Sequence, residues 1–292
     1  MPEQQQPPTA SLDGKELAQR LENKLLAEMV SISFFDAKKS LRWLKAPELE
    51  KINRQALFAG LRYSPSPDTA LPAIVRLLNK NPQLAEKVNQ GDKQLPLFRL
   101  LGASEALGDF LLRRPEALRV FDFDPDTPQI DEFPQTLLPE AEHPYLTFFA
   151  PLDTEFRSEM LRTVGANPQD ANPQATLTGK DGAVALRTAY RTFLCEIAIR
   201  DLCSPAPHEF IPTVGRKLSD LAAAALDTAL AIARAEASQK FPAEQVAQVE
   251  LAVIGMGKCG ARELNYISDV DVVYVIDRVQ PTSLAEGVDP ID

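Results

Sequence analysis

Leucine and methionine recur at Leu17, Leu21, Leu25 and Met29, every fourth residue, which lines one helical face and predicts an amphipathic helix after Asp13-Gly14. Asp36 is placed to cap a short helix carrying Leu41, Trp43 and Leu44, and Pro47 suits the first turn of another that runs to Leu61. Ser64-Pro-Ser-Pro-Asp68 reads as a turn. Helical patterns resume at 71–78, 84–88, 97–101 and 104–112, and Pro115 starts another helix. Residues 119–176 break this rhythm, being rich in Pro, Asp and Glu with no sustained helical period. So long a connection is unusual in a compact domain, and it reads as an irregular acidic excursion with a short helix near 151–164. Helical patterns return at 181–202 and at 210–237, the latter alanine-rich and kinked or started at Pro212. Only after Phe241-Pro242 does the period shift from 3.6 to 2, with strands expected at 249–254 and 269–276.

These patterns divide the chain into five stretches. Residues 1–11 are a polar, Pro-rich tail expected to be disordered. Residues 12–118 form a helical region, 119–176 the acidic excursion, 177–242 helices leading onward, and 243–292 the beginning of an α/β domain. The fold class is α+β, a large all-α region followed by a small mixed one.

The densest chemistry lies where the period changes. Three of the chain's 13 glycines, Gly255, Gly257 and Gly260, fall within six residues, and Asp269-Val-Asp271 begins fourteen residues after Gly255. Side chains two apart on a strand point the same way, so the pair presents two carboxylates side by side. With Val270, Val272, Tyr274 and Ile276 on one face and Val273 and Val275 on the other, the strand reads as buried, and buried carboxylates need a partner. Hard oxygen ligands select Mg²⁺ or Mn²⁺, which makes Asp269 and Asp271 candidate metal ligands and catalytic residues. Bare backbone at Gly255, Gly257 and Gly260 lets phosphate oxygens approach the amides. Lys258 and Arg262 can offset phosphate charge or stand solvated, and Ser268 can bond a phosphate oxygen or cap a turn. Together they suggest nucleotidyl transfer.

The glycines also fit Gly-x-Gly-x-x-Gly, the dinucleotide fingerprint, with Asp277 about 20 residues on. Only residues 261–268 separate the third glycine from the acid pair, fewer than the dozen or so a parallel crossover needs. A P-loop is ruled out because no Gly-Lys-Ser/Thr follows. Glu263 and Asn265 are placed to orient the loop, and Cys259 reads as a space-filler, since thiol catalysis needs a base that the motif does not offer. His143 and His208 stand alone, without a triad or a metal cluster. Arg187, Arg191 and Arg200, on one helix, are placed to face the catalytic cleft or a partner protein, or to form salt bridges with the acidic excursion.

A net charge of −10 argues against a nucleic-acid surface and for a protein substrate or a small phosphorylated ligand. No run approaches the ~18 apolar residues of a membrane span, and the Met-Pro-Glu-Gln start is no signal peptide. Cys195, Cys203 and Cys259 are odd in number and form no CxxC pair, which fits reduced thiols in the cytoplasm.

The run Gly255-Met-Gly-Lys-Cys-Gly-Ala-Arg-Glu-Leu-Asn-Tyr-Ile-Ser-Asp269-Val-Asp271 resembles the signature of the glutamine synthetase adenylyltransferase/adenylyl-removing family, within the polymerase β-like nucleotidyltransferases. Ser104-Glu-Ala-Leu-Gly-Asp-Phe-Leu-Leu-Arg-Arg-Pro115-Glu and Leu186-Arg-Thr-Ala-Tyr-Arg…Ile197-Ala-Ile-Arg-Asp-Leu202 are similar to the family's helices ahead of that signature. The resemblance implies two catalytic domains in one long chain, with this sequence similar to the start of the adenylyl-removing half. That half carries out phosphorolysis, in which phosphate attacks adenylyl-tyrosine on glutamine synthetase and releases ADP and free tyrosine. The other half adenylylates with ATP. The resemblance also implies Mg²⁺ or Mn²⁺, glutamine synthetase as substrate, and regulation by a PII nitrogen-signalling protein. Against it stand another polymerase β-like nucleotidyltransferase and a non-catalytic interaction module. Only 16 residues follow Ile276, too few for a further strand pair and a third carboxylate, so an incomplete catalytic domain is expected.

Overall fold

The computed structural model describes residues 14–122 and 154–278. The expected tail at 1–11 and most of the acidic excursion lie outside the described residues, as does His143. The chain divides into two compact units, Met1–Phe121 and Asp122–Asp292.

In the first unit α1 (Gly14–Ser31) forms where the four-residue spacing places it, but Leu17 and Leu21 are exposed and only Met29 reaches the core. Asp36 caps α2 (Ala37–Leu44), its carboxylate accepting from the Lys39 amide. The single helix expected from Pro47 to Leu61 is two elements. A 3₁₀ turn at Pro47–Leu49 ends, and Asn53 starts α3 (Arg54–Leu61) by accepting from the amides of Gln55 and Ala56. A side chain able to satisfy two first-turn amides competes well with helix continuation. Ser66 and Pro67 open α4 (Pro67–Lys80), which is followed by α5 (Leu84–Val88), α6 (Leu95–Ala103) and α7 (Glu105–Arg113), the last capped by Ser104. A 3₁₀ segment, Pro115–Phe121, closes the unit. The core is built on α4 and α6, through Leu71, Ile74, Leu97, Phe98 and Leu101, all fully buried.

In the second unit α8 (Thr154–Thr163), α9 (Gly179–Cys203) and α10 (Pro207–Ala237) pack on one another. α10 starts at Pro207 and continues through Pro212 rather than starting there. Met160, Ile197, Leu218 and Leu221 make its core, and small residues such as Ala222 and Ala224 let the helices approach. After the short α11 (Ala243–Ala247) come β1 (Val249–Gly255), the one-turn α12 (Gly257–Gly260) and β2 (Val272–Arg278). β1 and β2 pair antiparallel with Gly255 opposite Val272. The class is therefore α+β. Among the described residues no helix is long and apolar enough to cross a membrane.

Candidate functional site

The antiparallel register decides between the two readings of the glycines. A dinucleotide fingerprint needs parallel strands joined by a crossover helix, whereas here a single helical turn lies between β1 and β2. The Met256 amide donates to the Asp271 carbonyl at 2.8 Å. This bond extends the ladder one step past β1 and fixes the backbone of Asp271 beside the glycine turn.

Two of the three glycines are required, each for a different reason. Gly257 sits at φ +54° with open space around it, so the requirement there is conformational. Gly260 is required by contact, because a Cβ would lie 2.3 Å from the Gly255 carbonyl oxygen. At Gly255 an added Cβ meets nothing closer than 3.5 Å. Gly260→Ala is therefore expected to destabilise the second unit by about 1–3 kcal/mol, as overpacking does. Gly255→Ala should cost less than about 1 kcal/mol. Urea denaturation of the two variants checks the order.

Both aspartates are exposed. Asp269 and Asp271 lie in the approach to β2, which begins only at Val272, and so they do not share a strand face as expected. Nor does burial force a partner on them, because Val273, Tyr274, Val275 and Ile276 are 46–59% exposed. The physical reason is that β1 and β2 form a two-stranded ribbon among the described residues, and a ribbon alone gives its alternating side chains no layer to pack against. What brings the acid pair to the glycines is the Met256–Asp271 backbone bond and the loop between them.

That loop is clamped to the helices at three points. Arg262, at φ +58°, places Nη2 2.7 Å from both carboxylate oxygens of Asp220. Asp220 sits on α10 and is only 3% exposed. Leu264 is buried in the helical core, and its amide donates to Ser219 Oγ at 3.3 Å. Tyr266 donates its hydroxyl to Asp201 Oδ2, on α9, at 2.9 Å. Gly215 lets α10 come this close, since a Cβ there would lie 3.2 Å from Glu263 Cα. Arg262 is thus engaged by a buried carboxylate instead of standing ready for phosphate. Ser268 donates to Asn265 Oδ1 and closes the turn, while Lys258 is exposed.

Local electrostatics agree with a scaffold role for the thiol. Burial, and then the Asp220 charge, push the Cys259 thiol above its ordinary value. It stays protonated at neutral pH and packs beside the core as a space-filler. Burial, then the charge and hydrogen bond of Asp201, raise the Tyr266 phenol, although 40% of the residue's surface remains exposed. Tyr266 is therefore a neutral hydrogen-bond donor. Among the described residues no cluster of three or more His, Cys, Asp or Glu is arranged to hold a metal.

Asp201, Ser219 and Asp220 were not singled out by sequence reasoning. A signal existed, because Leu218-Ser-Asp-Leu221 places a charge among apolar helix positions, where it demands a partner. The partner itself, 42 residues on, carries no local mark.

Residues 152–292 match the family model described as Glutamate-ammonia ligase adenylyltransferase. The chain is 37% identical over 79% of its length to a protein of Leifsonia xyli subsp. xyli named "Bifunctional glutamine synthetase adenylyltransferase/adenylyl-removing enzyme", covering 21% of that protein. Similarly named proteins of Nocardia farcinica and Corynebacterium efficiens are 38% and 31% identical over 84% and 85% of this chain, which covers 23% and 25% of them. The chain thus spans about a fifth to a quarter of the length of these relatives. No solved structure matches. Over residues 152–292 the chain is therefore similar to the glutamate-ammonia ligase adenylyltransferase family.

Proposed function

We propose that this chain belongs to a nucleotidyltransferase that regulates glutamine synthetase, and that residues 243–278 are part of its adenylyl-removing site. The observation that carries the proposal is the clamped turn: a glycine-rich loop held to α9 and α10 presents two exposed aspartates beside bare backbone. Its setting in a match to the adenylyltransferase family supports the same reading.

The donor set fits Mg²⁺ or Mn²⁺, because such ions are held by one or two carboxylates with substrate phosphates and water completing the shell. Asp269 and Asp271 would hold the ion, which when bound neutralises phosphate charge. The turn's own bonds use the amides of Met256, Gly260, Ala261, Arg262 and Glu263. A helix leaves its first amides without internal partners, so Gly257, Lys258 and Cys259 offer the N–H groups that position phosphate, with the exposed Lys258 ammonium beside them. In the reaction, a phosphate oxygen forms a bond to the adenylyl phosphorus and the bond to the tyrosine oxygen breaks. The electron pair leaves with that oxygen, which takes up, through solvent, the proton that the attacking hydrogen phosphate gives up, yielding ADP and free tyrosine. ATP-dependent adenylylation, regulation by a PII-type protein and a cytoplasmic setting belong to the same reading. The three free cysteines support the last of these.

The test is product identity, using adenylylated glutamine synthetase and a chain extended to the relatives' length. ADP formed only when phosphate is present supports phosphorolysis, whereas AMP formed without phosphate means hydrolysis and contradicts it. A second expectation concerns the turn. Gly257→Val, which strains a left-handed position, should weaken phosphate or ADP binding by about tenfold, while Cys259→Ala leaves it within about twofold. Calorimetry distinguishes them, and equal losses would assign the thiol a role that its protonated state argues against.

A further inference from the structure

Among the described residues, the non-glycine residues with positive φ are Ser33 and Arg262, and Arg262, at φ 58°, lies inside the candidate site. A long side chain on a left-handed backbone is uncommon, because its Cβ crowds the following carbonyl oxygen. Such a conformation persists only where its surroundings hold it, and it concentrates at functional sites.

What holds Arg262 is the carboxylate of Asp220, whose two oxygens both lie 2.7 Å from Nη2. Stability alone does not call for this pair. Taking two charges out of water costs about as much as their attraction returns, and apolar residues of similar volume do as well. Arg262 Nε is moreover buried without a partner, which is a further cost. Two residues on, the loop is sealed to the helices by other means, since Leu264 is buried and its amide donates to Ser219 Oγ. An ion pair of this kind adds what packing lacks, a fixed direction.

That direction governs the glycine turn. The Arg262 amide donates to the Cys259 carbonyl and the Glu263 amide to the Lys258 carbonyl, so the backbone at Arg262 closes the far end of the turn. The near end is tied by the Met256 amide to the Asp271 carbonyl. The turn is therefore suspended between two anchors, the backbone of the acid pair on one side and a buried carboxylate of α10 on the other. A left-handed residue stands at each end, Gly257 and Arg262. With one anchor gone, the turn is free to pivot on the other.

We infer that Asp220 and Arg262 are positioning residues, which set the orientation of the glycine turn against Asp269 and Asp271 and through it the affinity for a metal-bound nucleoside diphosphate. The inference rests on the phosphate site proposed above. Neither residue needs to touch the ligand. Without the pair, nothing holds residue 262 left-handed, the turn relaxes, and binding bears the cost of reordering it. The loss falls on affinity even where the fold is kept.

The test is calorimetric titration of ADP into residues 1–292 at saturating Mn²⁺, with thermal unfolding of each variant alongside. The double variant Asp220→Leu, Arg262→Leu strands no charge, so it should keep more stability than Asp220→Ala. It should nonetheless bind ADP about tenfold more weakly than the unsubstituted chain. A role confined to stability would leave the affinity of the folded double variant unchanged. Arg262→Lys keeps the test open if the leucine pair does not fold. It retains a cation facing Asp220, but its shorter side chain obliges the turn to shift, and ADP should bind about threefold more weakly. Unchanged ADP affinity in either folded variant would overturn the inference and leave the phosphate site standing. Absence of Mn²⁺-dependent ADP binding by the unsubstituted chain would overturn the phosphate site, and the inference with it.

Discussion

Asp271→Asn is expected to lower ADP release from adenylylated glutamine synthetase by roughly 10²–10³-fold, measured on a chain extended to the relatives' length. An amide removes the negative charge that would hold the metal ion but keeps the shape. A loss of several kcal/mol of charge stabilisation corresponds to that range, at about 1.4 kcal/mol per tenfold. Because Asp271 is exposed and its backbone carbonyl, not its side chain, accepts from Met256, the fold should be untouched and Tm unchanged. Asp269→Asn should act in the same direction. Turnover unaffected at saturating Mg²⁺ would remove Asp271 from the chemistry.

Asp220→Ala should be the most damaging substitution to stability. It leaves the Arg262 guanidinium facing a buried void, with Nε already buried and unbonded. Removing one member of a buried ion pair costs about 3–5 kcal/mol. The Arg262 side chain is 29% exposed, so water can reach part of it and the low end, about 3 kcal/mol, applies. Replacing both residues by leucine should cost less than Asp220→Ala alone, since no charge is stranded. Circular dichroism follows the loss, and the fluorescence transition of Trp43, in the first unit, serves as an internal reference. If Asp220→Ala costs less than about 1 kcal/mol, the contact is a surface-like bridge and does not hold the loop.

The helices of both units were legible because their signals are local. Asp36 and Ser104 cap where their side chains can reach the first-turn amides, and the leucine spacing marks α1. The split of the helix expected from Pro47 to Leu61 was not legible by periodicity alone, because it depends on one asparagine, Asn53, outcompeting continuation. At the site, the glycines and the acid pair were visible as a motif, and the short spacing to Asp269 argued against a crossover before the antiparallel register showed it. The assignment of Asp269 and Asp271 to a buried strand failed, since alternation predicts a face but not whether another layer covers it. Arg262 was read by its charge, and its partner Asp220 is a long-range fact of how α10 packs under the loop. Nothing in the sequence alone marks Phe35 as exposed. Only the hydrogen bond from its amide to the Asp68 carboxylate reveals that the chain holds it out.

The most direct measurement is Mn²⁺ binding to residues 1–292, followed by the free-ion electron paramagnetic resonance signal with and without ADP. An ADP-dependent site present in the unsubstituted chain and lost in the Asp269→Asn, Asp271→Asn double variant is the expected result. Equal Mn²⁺ uptake by the two proteins, in the presence of ADP, would contradict a metal-assisted phosphate site at the clamped glycine turn.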